Sequence, residues 1–204
     1  RFMLTEEAHH MFVGETGVER VVARTAELMK LDPNGDARAQ GGIPLEMVQK
    51  HLNLWYTLSL DLFGSEVSSN AASYFAAGLK GRAKESSYED HKALDGTYRM
   101  SLMRDGAVVE DDVPLRNAMN EVLRDEYADD CQRGVDRWNK RLAEADIAFR
   151  FALPSKRFHR HIGLYANMPF SPEGRLLSQS EYDRNKDKWI PSEADRDYVR
   201  SLMQ

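Results

Sequence analysis

The sequence predicts a mainly α-helical fold with one small β-hairpin and an irregular C-terminal region. Apolar residues recur at steps of three and four from Phe2 to Met29, which is the spacing of one helix face. A second long helical pattern runs from Leu115 to Ala145, directly after Pro114. Between these patterns, two short apolar runs flank Arg-Asp-Gly at 104–106, a combination typical of a hairpin.

Three helices are predicted before the hairpin. One face of the first helix carries Met3, Glu7, His10, Gly14, Val18, Val21, Thr25 and Leu28. The second helix has Pro44 near its first turn, where the missing N–H costs nothing. Its buried face is expected to carry Leu45, Val48, Leu52, Trp55 and Leu62. The third helix is expected in the small-residue stretch EVSSNAASYFAAGLKGR.

The segments after the hairpin differ in regularity. The long helix carries on one side Leu115, Met119, Val122, Val135, Trp138 and Leu142. The following stretch IAFRFALP, residues 147–154, is expected to form a short strand. Ser178 and Glu181 then predict a capping box for a helix ending near Trp189, and Ser192 predicts the start of a last helix.

The chain length and the order of the elements indicate one domain. With 204 residues, the chain is long enough to bury a sizeable hydrophobic core. We expect helices over residues 1–95 and a hairpin insertion over residues 96–114. Residues 115–204 are expected to form a long helix and an irregular region of the same domain.

Composition narrows the classes of partner and the compartment. The net charge of −5, from 28 basic and 33 acidic residues, disfavours a nucleic-acid partner. The chain lacks an apolar run of about 20 residues, a leader peptide and a second cysteine beside Cys131. These features favour a cytoplasmic protein that does not span a membrane. Because the sequence starts at Arg1 inside a helical pattern, we expect it to be a piece of a longer protein.

The spacing Glu-x-x-His near the start of the chain is a candidate metal-ligand pair. Glu7 and His10 lie on the apolar face of the first helix, where a carboxylate and an imidazole three residues apart reach the same ion. These donors suit iron or manganese and leave positions open for oxygen. Glu6 and His9 repeat the spacing on a face expected to be solvated. No other histidine follows an acidic residue at this distance.

The remaining candidates carry weaker signals. The basic run KRFHRH, residues 156–161, is able to hold phosphates, and a solvated loop is the alternative. Asp61 and Glu66 are expected to be exposed to solvent, and carboxylates near a site are the alternative. The motifs HExxH, GxSxG, GxxxxGK[ST] and GxGxxG are absent from the sequence. Helical patterns place in the expected core Trp55, Trp138 and Trp189.

Four long stretches resemble the oxygenase components of the benzoyl-CoA epoxidase family, which are ferritin-like di-iron enzymes. They are FMLTEEAHHMFVGETGV, LDLFGSEVSSNAASYFAAGLKGR, NEVLRDEYADDCQRGVDRWNK and PSEADRDYVRSLM. The resemblance covers essentially the whole chain and corresponds to the C-terminal half of the longer family members. It implies that the helices continue a ferritin-like bundle.

The resemblance also implies an activity and its components. Family members epoxidise the ring of benzoyl-CoA at the 2,3-position with O2, using electrons that an NADPH-dependent flavin and iron–sulfur reductase delivers. Glu7 and His10 match the second Glu-x-x-His pair of the iron ligands. The other ligands of the di-iron centre would precede this chain, so the chain alone should neither hold the centre nor turn over.

Substrate contacts and rival functions stay open at this point. By charge, Lys156, Arg157 and Arg160 are the candidates for the CoA phosphates. A related ferritin-like oxygenase acting on another acyl-CoA, such as phenylacetyl-CoA, would share the iron ligands. A metal-free helical interaction module, with Glu7 and His10 as a surface pair, is the alternative from another class.

Overall fold

We describe a computed structural model of the chain over residues 2–67 and 96–203, without the side chains of residues 2–4, 7 and 116. Apart from its first two residues, Glu66 and Val67, the predicted third helix lies outside these described residues. The elements in chain order are α1 (Phe2–Leu31), a 3-10 helix (Arg38–Gln40), α2 (Leu45–Asp61), β1 (Thr97–Arg104), β2 (Ala107–Pro114), α3 (Leu115–Glu144), α4 (Gln179–Trp189) and α5 (Glu193–Ser201). The prediction of a mainly α-helical fold with one small hairpin is therefore confirmed.

The hairpin forms where the Arg-Asp-Gly sequence predicts it. Strands β1 and β2 pair antiparallel, and their register ends with Arg104 opposite Ala107. The two residues of the turn, Asp105 and Gly106, have φ angles of 50° and 79°. Positive φ at both positions defines the tight turn whose twist matches that of the paired strands, which is why Asp-Gly is favoured there.

Contacts divide the chain into two compact units. The first contains Arg1–Trp55, Asp130–Pro154 and Ser178–Gln204. Within it, three helices and one loop residue share a core: Val22 and Ala26 of α1, Leu45 and Val48 of α2, Val135 and Leu142 of α3, and Phe151. The repeat of apolar residues at helical spacing supplies these buried faces.

The segment 147–154 of the first unit does not form the expected strand. Its backbone bonds to side-chain amides of two helices instead of to another strand. Asn139 accepts from the Phe151 N–H at 2.7 Å and donates to its carbonyl at 2.9 Å. Gln49 does the same for Ala152, at 3.0 and 2.8 Å. The apolar run therefore reflects packing against the core rather than a sheet.

The buried face of α2 differs from the predicted one at two positions. Leu45 and Val48 are buried as expected, but Trp55 is 63% exposed and Leu62 is 86% exposed. Steps of four residues from Val48 lead through Leu52 to Tyr56 and Leu60. The last two are 4% and 0% exposed. The face is thus rotated away from Trp55 and Leu62.

Both short helices at the end of the first unit begin after the predicted serine. Ser178 precedes α4, and its side chain accepts a hydrogen bond from the Glu181 N–H. Ser192 precedes α5 and forms a reciprocal capping box with Asp195. Tyr198 of α5 donates from its hydroxyl to the Gly42 carbonyl at 2.7 Å.

The second unit contains Tyr56–Asp129 and Ser155–Leu177. It combines the hairpin and the first part of α3 with a turn-rich loop. Its buried apolar residues include Met100, Met119, Phe158 and Phe170. In the described parts of both units, no helix is both long enough and apolar enough to span a membrane.

Candidate functional site

The Glu-x-x-His pair lies in the first turns of α1, in the first unit. Between Thr5 and Gly14, every residue whose side chain is described is exposed, and His10 is among them. The expectation that His10 lies on a buried face is therefore wrong for this chain. The buried stripe of α1 is formed further along by residues such as Val22 and Ala26.

Apolar side chains follow the histidines on this exposed stretch of α1. Met11, Phe12 and Val13 are 66%, 63% and 50% exposed. Among the described residues, no group of three or more histidine, cysteine, aspartate or glutamate side chains is able to hold a metal ion. One helix segment thus presents an imidazole beside a large apolar surface.

A buried ion pair organises the loop of the second unit that contains the KRFHRH run. Arg160 is 2% exposed, and its Nε donates to Asp61 Oδ1 of α2 at 2.6 Å. Its two other nitrogens donate to the carbonyls of Lys156 and Ile162 at 3.2 and 3.1 Å. The Arg160 side chain, which was predicted to bind a CoA phosphate, therefore already donates hydrogen bonds to groups of the protein itself. The solvated-loop alternative is wrong at this residue.

Asp61 is buried as well, contrary to the expected exposure. It is 8% exposed, and its second oxygen accepts from the backbone N–H of His161 at 3.0 Å. The His161 Nδ1 lies 3.3 Å from the same oxygen. Burial alone would raise the pKa of Asp61, but the hydrogen bonds from Arg160 and His161 outweigh it and lower that pKa.

Glu66 is the second carboxylate whose expected exposure is wrong. It is 7% exposed, and Oε2 accepts from the Leu164 N–H at 2.6 Å. Gly163, at φ +86°, lies against this carboxylate, and a Cβ there would be 2.4 Å from Oε2. Within the described residues, Glu66 Oε1 is buried and has no hydrogen-bond partner. The glycine is required both by its backbone conformation and by the close approach.

Arg124 of α3 is a further buried cation in this unit. It is 0% exposed, and its Nε donates to the Leu60 carbonyl at 3.2 Å while another nitrogen donates to the Gly64 carbonyl. Glu121 pairs with it one helical turn earlier. Desolvation and then the charge of Arg160 lower its pKa to about 10. The guanidinium ties the end of α2 to α3.

A cavity of about 250 Å³ lies beside these buried charges, inside the second unit. It is bounded by β1, α3 and the loop from Ser155 to Tyr165. Its basic lining residues are Arg99, Arg124, Lys156, Arg157 and Arg160, and its acidic lining residues are Glu66, Glu110 and Glu121. The structure therefore brings the three predicted phosphate contacts to one cavity.

Asp125 joins two walls of this cavity. One of its oxygens accepts from the Tyr98 hydroxyl of β1, and the other accepts from Lys156. Desolvation and the hydrogen bond to Asp125 raise the pKa of Tyr98. Arg157 lies over the ring of Tyr165, with 5.1 Å between its guanidinium carbon and the ring centroid.

Sequence reasoning missed three residues of this region: Arg99, Arg124 and Asp125. Arg99 follows Tyr98 in a predicted strand, where a basic residue is ordinary. Arg124 and Asp125 lie in a charged helix and are indistinguishable there from solvated neighbours.

The chain is similar along its whole length to a known oxygenase component. It is 47% identical over 207 aligned positions to benzoyl-CoA oxygenase component B of Aromatoleum evansii. The match covers 100% of the chain and 44% of that relative, so the chain spans less than half the length of the curated relative. The predicted resemblance is confirmed, and the share is consistent with correspondence to the C-terminal half. No protein-family model matches the chain.

Proposed function

We propose that this chain is part of a di-iron monooxygenase that epoxidises the aromatic ring of benzoyl-CoA at the 2,3-position. The observation that carries the proposal is the Glu7–His10 pair, on one continuous helix, in a chain 47% identical to a benzoyl-CoA oxygenase component. The electrons would come from NADPH through a flavin and iron–sulfur reductase. A ferritin-like bundle and a cytoplasmic location belong to the same proposal.

The donor chemistry of the pair fits iron. In a continuous helix, residues 7 and 10 share one face, so that a carboxylate and an imidazole meet at one ion. Glu7 would contribute negative charge, and His10 would contribute a neutral ring nitrogen whose partner nitrogen is held by a neighbouring group. The ions would supply the chemistry of oxygen reduction. Glu7 and His10 would supply two of the iron ligands, and the remaining ligands would come from the other part of the longer protein.

The test is iron content per chain in the full-length protein that contains this sequence. The His10→Ala and Glu7→Ala variants should lose most of the iron that the wild type holds, because each removes a direct ligand. Glu6→Ala and His9→Ala are matched controls, since they have the same residue types and spacing on a rotated helix face. These controls should retain their iron and their epoxidation rate.

The proposal fails if the His10→Ala variant keeps full iron and normal epoxidation. It fails also if the wild-type protein holds no iron. Benzoyl-CoA and phenylacetyl-CoA should be compared as substrates in the same assay. A preference for phenylacetyl-CoA would leave the proposed iron ligands unchanged and would replace benzoyl-CoA as the proposed substrate.

A second candidate function is favoured by the exposure of the first turns of α1. His10 is exposed, and Met11, Phe12 and Val13 form an exposed apolar surface beside it. A metal-free interaction module would use this surface to pack against another helix. In that case the iron content would not respond to Glu7 or His10, whereas Phe12→Ser would weaken the association.

We also propose that the loop of the second unit binds the CoA part of the substrate. Lys156 and Arg157 line the cavity with side chains that reach its solvent-facing side, and we retain them as phosphate contacts. Arg160 supports the loop from inside. Neutralising Lys156 and Arg157 should raise the KM for benzoyl-CoA more than it lowers kcat, because the contacts lie away from the reacting ring.

A further inference from the structure

We infer that the cavity of the second unit binds a diphosphate group through Arg99, Lys156 and Arg157, and that Asp125 competes with the ligand for Lys156. The inference deepens the proposed function and rests on it only for the identity of the molecule that carries the diphosphate. It adds the hairpin, through Arg99, to the binding surface.

The inner cations of the cavity are already engaged by the protein. Arg124 and Arg160 are buried, and both donate to backbone carbonyls. The lining carboxylates are engaged as well: Glu121 pairs with Arg124, Glu110 accepts from the Ser101 hydroxyl, and Glu66 accepts from the Leu164 N–H. Apart from Glu66 Oε1, which has no hydrogen-bond partner among the described residues, these groups are paired and set the shape of the cavity.

The outer cations are held weakly. Arg99 lies 3.7 Å from Asp112 of the paired strand, and both side chains are more than half exposed. Such a pair contributes little, because water screens it. Arg157 uses the face of its guanidinium on the rings of Tyr165 and Phe170. A contact with ring faces does not use the N–H donors of the guanidinium, so they can bind an acceptor such as a phosphate oxygen.

Lys156 is the cation whose partner can be exchanged. Its ammonium group donates to Asp125, and both side chains are partly exposed. Asp125 also accepts from the Tyr98 hydroxyl, so it keeps one partner when Lys156 moves to a ligand. A diphosphate has more negative charge and more acceptor oxygens than one carboxylate, and it therefore competes for the ammonium group.

The volume of the cavity is sufficient for only one part of a nucleotide-like ligand. At about 250 Å³ it lies below the range of about 300–1,000 Å³ that is usual for complete small-molecule sites. A diphosphate fits such a space, while the remainder of a nucleotide-like molecule would stay outside. Three cations around a small cavity suit the several oxygens of this group.

The test is calorimetric titration of the full-length protein that contains this sequence with inorganic pyrophosphate. Arg99→Gln and Arg157→Gln should each weaken binding by about tenfold, because each removes a charge-assisted contact. Asp125→Asn should instead tighten binding by several-fold, since Lys156 loses its competitor. Arg24→Gln, on an exposed arginine of α1, is the matched control and should leave binding unchanged. Circular dichroism verifies the fold of each variant.

The titrations of the wild type and of Asp125→Asn each have one result that would overturn the inference. One is the absence of pyrophosphate binding at millimolar concentration. The other is an Asp125→Asn variant that keeps its fold and binds more weakly than the wild type, as a purely structural role would require. If Asp125→Asn does not fold, unchanged binding by Arg99→Gln and Arg157→Gln would also overturn it. Iron content plays no part in these titrations, so the metal pair and the diphosphate site fail separately.

Competition identifies the molecule that carries the diphosphate. Displacement of pyrophosphate by benzoyl-CoA supports the substrate as the natural ligand. Displacement by ADP and not by benzoyl-CoA supports a separate nucleotide at the same cations. Failure of both to displace pyrophosphate would overturn the inference, because the site would then recognise only the free ion.

Discussion

The first turns of α1 and the loop from Lys156 to His161 carry the same residue types, histidines beside charged side chains, but the protein surrounds them differently. His10 of α1 is exposed, next to exposed apolar residues. In the loop, Arg160 is buried and its charge is matched by Asp61. The buried part of the loop is thus paired within its unit, while Lys156 and Arg157 line the cavity. The first turns of α1 instead present an exposed imidazole beside exposed apolar side chains.

This difference separates structural charges from functional candidates. A buried charge with an ion-pair partner and backbone hydrogen bonds is already used for stability. An exposed imidazole such as that of His10 contributes little to stability, so its substitution should change function first. The four predictions below test this contrast, in order of decreasing effect on stability.

The largest effect is expected for Arg160→Ala. The variant leaves the Asp61 carboxylate buried without its cation, which costs about 3–5 kcal/mol in comparable buried pairs. Urea unfolding, followed by circular dichroism, gives the change in the free energy of unfolding. Arg200→Ala is the control, because Arg200 pairs with Glu193 and Asp197 on the surface and should contribute less than about 1 kcal/mol. Equal losses in the two variants would contradict the contrast.

The second effect is expected for Gly163→Ala, at about 2–3 kcal/mol. Alanine is strained at φ +86°, and its Cβ would approach Glu66 Oε2 to 2.4 Å. Gly106→Ala is the matched control, since Gly106 has φ +79° and nothing within 4 Å of an added Cβ. The difference between their unfolding free energies measures the contact with Glu66. If that difference is zero, backbone strain alone explains the loss.

An intermediate case comes from Asp195, which is partly buried and pairs with Lys50 at 2.8 Å. Burial would raise its pKa, but Lys50 and the N–H of Ser192 lower it to about 2. Because the folded-state pKa is depressed, the stabilisation is present above the ordinary value of about 4 and is lost as the pH falls toward 2. Asp195→Asn should therefore be destabilised by about 1 kcal/mol at pH 7, and the difference from wild type should vanish near pH 2. Urea midpoints of both proteins across this range give the test, and a difference that is independent of pH would contradict it.

The smallest effect is expected for His10→Ala and Phe12→Ser. Both side chains belong to exposed residues, so each substitution should change the unfolding free energy of this chain by less than about 0.5 kcal/mol. Thermal unfolding of the two variants beside wild type is sufficient. A large loss would show that the chain itself uses this stretch for stability, and the contrast with Arg160 would not hold.

Local patterns were sufficient to predict the helices and the hairpin. The periodicity of α1 and α3 and the Asp-Gly turn act over a few residues, so the sequence displays them directly. The strand prediction for residues 147–154 was wrong because the hydrogen-bond partners of this segment are the side chains of Gln49 and Asn139. The spacing of apolar residues within the segment gives no information about such distant partners.

The burial of Asp61 and Glu66 was not predictable for a related reason. Asp61 is buried because Arg160 neutralises it, and Glu66 is buried because Gly163 and Leu164 fold over it. A carboxylate considered with its sequence neighbours alone is assigned to solvent. The Glu7–His10 spacing is local and was visible in the sequence, whereas the iron site proposed for it stays a prediction.

The contact between Arg160 and Asp61 also bears on the lifetime of the folded state. The two residues are 99 positions apart, and the bond from Thr57 to the Phe158 carbonyl joins residues 101 apart. Closing a loop of this length costs entropy before any contact forms, so such pairs form late in folding. Removing a late contact accelerates unfolding far more than it slows folding. We therefore expect the ion pair to slow the opening of this loop.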